Sequence, residues 1–465
     1  LKCREAQPLP LFWKRRRARG TMGEASLWGA LLGEHCDGEI WGFFVHPFVM
    51  LYCFFILAQL CDGHLTRALE LLVDKLGMSE DVAGATFLAM ASSAPELFTS
   101  LIATLVVESA SGVGNILGSA VFNLLVIIGV VPIFAGSTLK IWWYPTARDT
   151  IFYMIAIIEV FLVLLDSKVY WYEGLIMTVS YFGYVFFFTQ NQRVIRKLGL
   201  KVPGEEEEAE ETQKEDGVAI GKAATVSPDT EGEGSKPATS PGSAWEDKDG
   251  EKAADKAEEK KTEEDEEEEE EDKGFLKYEP IMFLIDKVTP TSPEWLFTMF
   301  GLCVLWIGFF TYFAVDSSLR LGCLVGMPDV VMGLIFLAAG TSVPDAMGSI
   351  AVAKEGKGDM AVANAVGSNT FDILLGLGLP WTIKGLIDGK PIEMPDDGTL
   401  IMAICLLTCC LWSYLILLTC NKFLLTKRFG FLLLFMYGCS IAFFLIYYYV
   451  LKDEVFYATT TTAAR

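Results

Sequence analysis

Two stretches of the chain, 249 residues apart, carry the same arrangement of carboxylates, hydroxyls and amides inside apolar sequence. In the first, FLAMASSAPE ends at Glu96 and GNILGSAVFN at Asn123; in the second, FLAAGTSVPD ends at Asp345 and ANAVGSNTFD at Asp372. Both pairs of end points are 27 residues apart, so the register holds without a gap. An ionised side chain at the centre of a membrane-spanning helix costs about 2.5 to 3.5 kcal/mol even on lenient insertion scales, and is a functional hypothesis by default. A duplicated intramembrane acid therefore points to ion transport.

Helical spacing gathers the polar groups into stripes. Ala89, Ser92, Ser93, Glu96, Thr99 and Ser100 recur at steps of three and four, and Ala338, Thr341, Ser342, Asp345 and Ser349 repeat the pattern. Asn115, Ser119 and Asn123 step by four, as do Asn364, Ser368 and Asp372. These stripes offer only oxygens and amides, which suit hard cations such as Ca²⁺ and Na⁺. Glu96 and Asp345 together match the charge of one Ca²⁺. Pro95 and Pro344 each lack the N–H that would bond the carbonyl four residues back, at Ala91 and Gly340, which frees those oxygens. Asn123 in one copy is answered by Asp372 in the other, a third carboxylate with room for one monovalent cation. Gly118, Gly340, Gly348, Gly367 and Ala89 let helices approach closely. Interhelical packing accounts for any single serine here; it does not account for three carboxylates in matching stripes.

Around these stripes, runs of roughly 20 apolar residues, the length that crosses a bilayer, predict about ten spans. They lie near Trp41 to Cys61, Val82 to Val107, Val113 to Phe134, Thr150 to Leu165, Tyr170 to Thr189, Trp295 to Val315, Val330 to Ala353, Met360 to Trp381, Leu400 to Cys420 and Phe429 to Leu451. Five spans on each side of a polar middle give the two halves opposite orientation, the inverted repeat of many secondary transporters. The expected fold is an all-α multi-pass membrane protein of two inverted five-helix halves. Residues 1–40 form an amino-terminal segment, 41–190 the first half (repeat about 77–125), 291–451 the second (repeat about 326–374), and 452–465 a short tail.

The net charge of -22 at first suggests a soluble acidic protein, yet residues 203–273 hold 28 acidic and 9 basic side chains, or -19 of it. Without that segment the chain is nearly neutral and reads as membrane. Residues 191–290 are expected to be a largely disordered acidic loop, a solvated linker that a partner could also use. Lys140, Arg148, Arg193, Arg196, Lys197, Lys354, Lys357, Lys422, Lys427 and Arg428 all fall on one side of the ten-span topology, which the positive-inside rule makes cytoplasmic. Both termini then lie outside or in a lumen. The basic run Lys14 to Arg19 opposes that orientation unless it belongs to a removed leader or a processing site. Cys36 and Cys323 share the non-cytoplasmic side, which leaves a disulfide between them open. The three His make no zinc spacing with Cys, so neither a zinc site nor another cofactor is expected, and nothing suggests nucleic acid. Glu159, midway along span four, is expected to pair with a neighbouring helix. GKGD at Gly356 to Asp359 resembles an aspartyl protease motif only superficially, since no partner motif accompanies it.

SAPELFTSLI with GSAVFN, and LAAGTSVPD with KGDMAVANAVGSNTFDILLGLGLPW, resemble the two alpha repeats of the potassium-dependent sodium/calcium exchangers of the cation/calcium exchanger superfamily. WWYPTARD before span four is similar to that family too. The resemblance implies that Glu96 and Asp345 are the central Ca²⁺ and Na⁺ carboxylates, supported by Ser92, Ser93, Thr341, Ser342, Ser119, Ser368 and Asn123, and that Asp372 carries K⁺ dependence. It further implies export of Ca²⁺ with K⁺ against Na⁺ entry, by alternating access, at a plasma membrane rather than an endomembrane. MASSAPE departs from the glycine pair common before the serine, and Asn115 stands where Thr is frequent. A Ca²⁺/H⁺ exchanger and a K⁺-independent Na⁺/Ca²⁺ exchanger are the alternatives.

Overall fold

The computed structural model describes residues 40–76, 89–136, 138–190, 280–290, 295–354, 356, 358–395 and 398–451. Six helices in these residues are long and apolar enough to cross a membrane unaided: Trp41–Leu69, Ser111–Phe134, Leu296–Val325, Gly358–Asp388, Thr399–Cys420 and Lys427–Val450. A seventh crossing, Asp329–Thr341 with Val343–Lys354, is bent by 40°. Trp143–Leu164 and Trp171–Thr189, of 22 and 19 residues, coincide with spans four and five. Span two is described from Ala89 onward and reaches Val107. Large apolar side chains such as Trp41, Phe48, Phe297, Leu305 and Phe435 are exposed around the outside, the surface a bilayer covers.

Four spans run further than hydrophobicity alone predicts, and in three of them charged side chains pair inside the helix; span eight continues from Trp381 to Asp388, with Lys384 and Asp388 3.3 Å apart. Span six continues from Val315 to Val325 through Asp316 and Arg320, which pair at 2.7 Å one turn apart, and it stops at Gly326, whose φ of +73° is a left-handed cap. Span four begins at Trp143 instead of Thr150; its first turns hold Arg148, bonded to Asp149 at 2.6 and 3.0 Å, with the guanidinium over the Phe188 ring. Span one passes through a π-helical stretch, Leu60–Leu65, into Thr66–Leu76. Pro280–Val288, at the end of the stretch expected to be an acidic loop, is a helix that buries Met282 and Ile285. The rest of that loop, the amino-terminal segment and the tail lie outside the described residues. Cys323 is disulfide-bonded, whereas the other described cysteines are free; Cys36 also lies outside the described residues.

Two short ribbons reveal the inverted arrangement. Leu139–Lys140, between spans three and four, pairs antiparallel with Leu424–Leu425, between spans nine and ten. Lys168–Val169, between spans four and five, pairs with Ile392–Glu393, between spans eight and nine. In a ten-span topology each ribbon joins turns on one side, and the two ribbons lie on opposite sides. Rotating one half onto the other exchanges them. Further links respect the same division: His64 with Asp286 at 2.8 Å and the Trp142 amide with Asp359 on the first side, Ser109 with Asp329 at 2.8 Å and Lys384 with Glu108 on the second.

Span three lies against span seven backbone to backbone. A Cβ at Gly114 would stand 2.3 Å from the Val330 carbonyl oxygen, one at Gly118 2.1 Å from that of Leu334, and one at Gly333 2.2 Å from that of Ser111. Small residues let helices without a hydrophobic driving force gain dispersion contact. A matched pair of approaches, Gly129 on Gly430 and Gly378 on Gly174, holds span three to span ten and span eight to span five. Gly118→Ala is expected to destabilise by roughly 1 to 3 kcal/mol through overpacking. Gly183→Ala, where an added Cβ meets nothing within 4 Å, is expected to change stability by less than about 0.5 kcal/mol. Thermal unfolding of the two purified variants in one detergent tests the contrast; equal melting temperatures would contradict it.

Candidate functional site

Both copies of the motif break their helix at the same residue. Ala89–Ser92 stops at Ser93, with φ −87° and ψ 8°, and Ala94–Ile102 follows. Ala338–Thr341 stops at Ser342, with φ −84° and ψ 5°, and Val343–Lys354 follows. Pro95 and Pro344 are the second residues of the new helices, where a missing N–H is harmless, and Glu96 and Asp345 are the third. A carboxylate there faces the positive end of the helix dipole and the amides of the first turn. Spans three and eight make a complementary change: each turns π-helical at the equivalent residue, over Asn123–Ile127 and Asp372–Leu377. Such stretches often coincide with functional sites because they turn a side chain out of register.

The breaks bring the stripes together at the centre of the protein. Glu96, Asp345, Asp372, Asn123, Ser93, Ser119 and Ser342 have no exposed surface, and Thr341 and Ser368 are about as deeply buried; Ser92 is partly buried. Ser342 donates to Glu96 Oε1 at 3.1 Å, from one repeat to the other. The Asn123 amide lies 3.2 Å from Asp345 Oδ2, 3.3 Å from Ser368 Oγ and 3.0 Å from Asn369 Oδ1. Two amide protons are thus shared among three acceptors. Ser92 and Ser368 also lie beside the Asp345 carboxylate, and Ser93 beside that of Asp372. Ser119 and Thr341 behave differently: their hydroxyls bond carbonyls of their own helices, Ile116 at 3.0 Å and Leu337 at 3.1 Å, and Thr341 also reaches Asn115 Oδ1 at 3.2 Å.

Several buried oxygens at the centre have no hydrogen-bond partner: Glu96 Oε2, Asp345 Oδ1, both carboxylate oxygens of Asp372, Asn123 Oδ1 and Ser93 Oγ. Leaving a buried polar atom unsatisfied costs about 1 to 3 kcal/mol, and more when it is charged. Among the described residues none of the three acids is in an ion pair. Six oxygens is the lower end of the number Ca²⁺ takes, and Na⁺ and K⁺ share its preference for oxygen. Among the described residues, however, no three His, Cys, Asp or Glu side chains converge closely enough to hold one metal ion. The charge is therefore spread over neighbouring positions, with side-chain hydroxyl and amide groups between the carboxylates.

Asn369 belongs to this network although the stripes omit it. It is fully buried, accepts from Asn123 and donates to the Ala120 carbonyl at 3.4 Å. It lies one residue off the four-step series, and its counterpart in the first repeat is Ala120 itself, so comparing the two copies hides it. Tyr153 of span four, also fully buried, stands beside Asp372 and Asn369. Glu159 is elsewhere, accepting from Ser180 of span five at 2.9 Å, the neighbouring-helix pairing its position suggests. Asp359 of the GKGD sequence is at the start of span eight, bonded to the Trp142 amide and away from the other acids.

Residues 46–190 and 295–446 match the sodium/calcium exchanger protein family. The sodium/potassium/calcium exchanger 4 of Mus musculus is 31% identical over 516 residues, covering 89% of this chain and 82% of that protein. The sodium/potassium/calcium exchanger 3 of Homo sapiens is 33% identical over 515 residues, covering 86% and 80%. Among solved structures, the crystal structure of an H⁺/Ca²⁺ exchanger aligns over 94% of this chain and 91% of its own, with a TM-score of 0.51 and 10% identity, a likeness of fold. The chain belongs to the sodium/calcium exchanger family and, within it, to the sodium/potassium/calcium exchangers.

Proposed function

We propose that the chain is a secondary antiporter that exchanges Na⁺ for Ca²⁺, carries K⁺ with the Ca²⁺, and works by alternating access around the central carboxylates. The observation that carries this reading is the group of fully buried, unpartnered oxygens on Glu96 and Asp345, at matching breaks in two inverted halves, and on Asp372, where span eight turns π-helical. Ser92, Ser93, Thr341, Ser342, Ser119, Ser368 and Asn123 support them as ligands or as positioning groups.

The chemistry follows from charge. Buried carboxylates with no counter-ion are costly to carry through a closed state, by several kcal/mol per ion. Loading them with cations removes that penalty, so the loaded protein can change sides and the empty one cannot. Ca²⁺ and Na⁺ compete for the Glu96 and Asp345 oxygens, which makes their movements alternate and couples them. Asp372 adds one negative charge that a monovalent cation neutralises while Ca²⁺ occupies the other two acids. Two inverted halves offer two arrangements of similar energy, open to opposite sides, whose populations the bound ions shift. We place the protein in the plasma membrane, with the basic turns and the acidic segment in the cytosol, where that segment is a solvated linker open to a cytosolic partner.

Ca²⁺ uptake into proteoliposomes, driven by an outward Na⁺ gradient with and without K⁺ and compared with uptake driven by a pH gradient, tests the reading. Uptake that follows the pH gradient and ignores Na⁺ would replace it with Ca²⁺/H⁺ exchange. Glu96→Gln and Asp345→Asn are each expected to lower Na⁺-driven uptake by about 100-fold or more, since breaking a buried charge pairing costs some 3 to 5 kcal/mol. Full exchange in either variant contradicts the central site. Asp372→Asn keeps the shape of the side chain and removes its charge, and is expected to retain Na⁺-driven uptake while losing the K⁺ requirement. A K⁺ titration of that variant that matches the parent protein removes Asp372 from the K⁺ role.

A further inference from the structure

A cavity of about 380 Å³ opens on the outer face between spans four and nine, far from the carboxylates in sequence and lined by Trp143, Thr146, Thr150, Met154, Trp412 and Phe423 among others. Its walls are almost wholly apolar, and its volume falls in the range of small-molecule sites. Trp143 and Trp412 are half exposed at its edge. Indole rings favour the boundary between headgroups and hydrocarbon. The cavity sits at the end of the molecule where Leu139–Lys140 pairs with Leu424–Leu425.

Two features separate this cavity from an ordinary lipid-facing seam. The first is Thr150, which is only 7% exposed and whose hydroxyl has no partner, although it lines the cavity. The second is the backbone beneath it: Lys422 and Phe423 are consecutive non-glycine residues with φ of +56° and +59°. A left-handed conformation costs an L-residue roughly 1 to 2 kcal/mol and is an outlier for a bulky one. It is held in place by Lys422 N–H to Thr419 O at 3.0 Å, Phe423 N–H to Leu418 O at 3.0 Å and Ile141 N–H to Phe423 O at 2.8 Å. The turn sets Phe423 in the cavity wall and leaves Lys422, its neighbour in sequence, exposed.

The paired turns beside the cavity are positive. Lys140, Lys427 and Arg428 stand with Lys422 at the surface of the paired turns, and among the described residues none of the four is in an ion pair. The acids nearby are engaged: Asp149 by Arg148, and Asp359 by the Trp142 amide. An apolar slot at membrane depth, an unpartnered hydroxyl on one of its lining residues and basic turns at its end match the three parts of an anionic glycerophospholipid: acyl chain, ester carbonyl and phosphate-bearing headgroup.

We propose that this cavity is a specific site for one anionic glycerophospholipid, with an acyl chain between spans four and nine, an ester carbonyl at the Thr150 hydroxyl and the headgroup on the Lys140, Lys422, Lys427 and Arg428 cluster. Because span four belongs to the first half and span nine to the second, the bound lipid bridges the two halves. The site rests on the membrane-spanning fold and is independent of which ions are carried.

Native mass spectrometry of the full chain in detergent, incubated with phosphatidylserine or with phosphatidylcholine, tests it. The protein is expected to retain one phosphatidylserine in strong preference to phosphatidylcholine. Ala147 also lines the cavity, so Ala147→Trp fills it and is expected to abolish that retention. The surface double variant Lys427→Gln with Arg428→Gln leaves the cavity intact and is expected to lower retention by at least about tenfold, each basic group at a membrane surface contributing a factor of about five. Equal retention of the two lipids by the parent protein overturns the proposal. So does undiminished phosphatidylserine retention in either variant, and the double variant keeps the test decisive if Ala147→Trp does not fold.

Discussion

An ionised carboxylate has no tolerable place in the interior of a bilayer unless something of opposite charge comes to it. Glu96, Asp345 and Asp372 are fully buried, and each keeps at least one oxygen without a hydrogen-bond donor. Much of the remaining architecture can be understood as the means of holding those groups in that condition. Two helices break so that their first-turn amides face Glu96 and Asp345, and the proline before each of these two occupies a position where its missing N–H does no harm. The breaks in turn need neighbours that fill the gap without offering lysine or arginine. Asn123, Ser342 and Asn369 do this with neutral groups, the first two of which hydrogen-bond one carboxylate oxygen and leave another available.

Inverted symmetry and its local failure serve different ends. The paired ribbons, the matching glycine approaches and the matching breaks at Ser93 and Ser342 follow the two-fold relation. Two positions around the centre do not: Asn123 is matched by Asp372 between the repeats, and Ala120 by Asn369. The frame is therefore shared between halves, while charge and hydrogen-bonding capacity are concentrated in the second. A symmetric scaffold gives two interchangeable states, and an asymmetric lining lets one pocket treat ions of different charge differently.

The carboxylates were legible in sequence because a charge in an apolar run is too costly to keep without a role, and the duplicated spacing showed which residues correspond. Ten crossings in two halves were legible from run length. The ends of spans four and six were not, because Arg148 with Asp149 and Asp316 with Arg320 each read as charges that should lie in water, whereas pairing within the helix keeps them in it. Asn369 escaped because its neighbours stand out by their agreement between the copies, and its own counterpart is alanine. Ser119 and Thr341 show the converse: they share the stripe, yet their hydroxyls are occupied by carbonyls of their own helices. Helical spacing selects a face, while the rotamer that decides where a hydroxyl points depends on what else is within reach.

The contact between spans three and seven sets a further limit on the molecule. Where Gly114, Gly118 and Gly333 meet the opposing main chain, nothing bulkier than the Ala338 methyl stands between the helices. The interval between the two repeats is thus set almost wholly by peptide groups, which have no rotamers to change and no volume to trim. Asn115, Ser119 and Thr341 are strung along that same seam. The seam acts as a gauge of fixed width beside the centre, to which the lipid-facing shell contributes no atom.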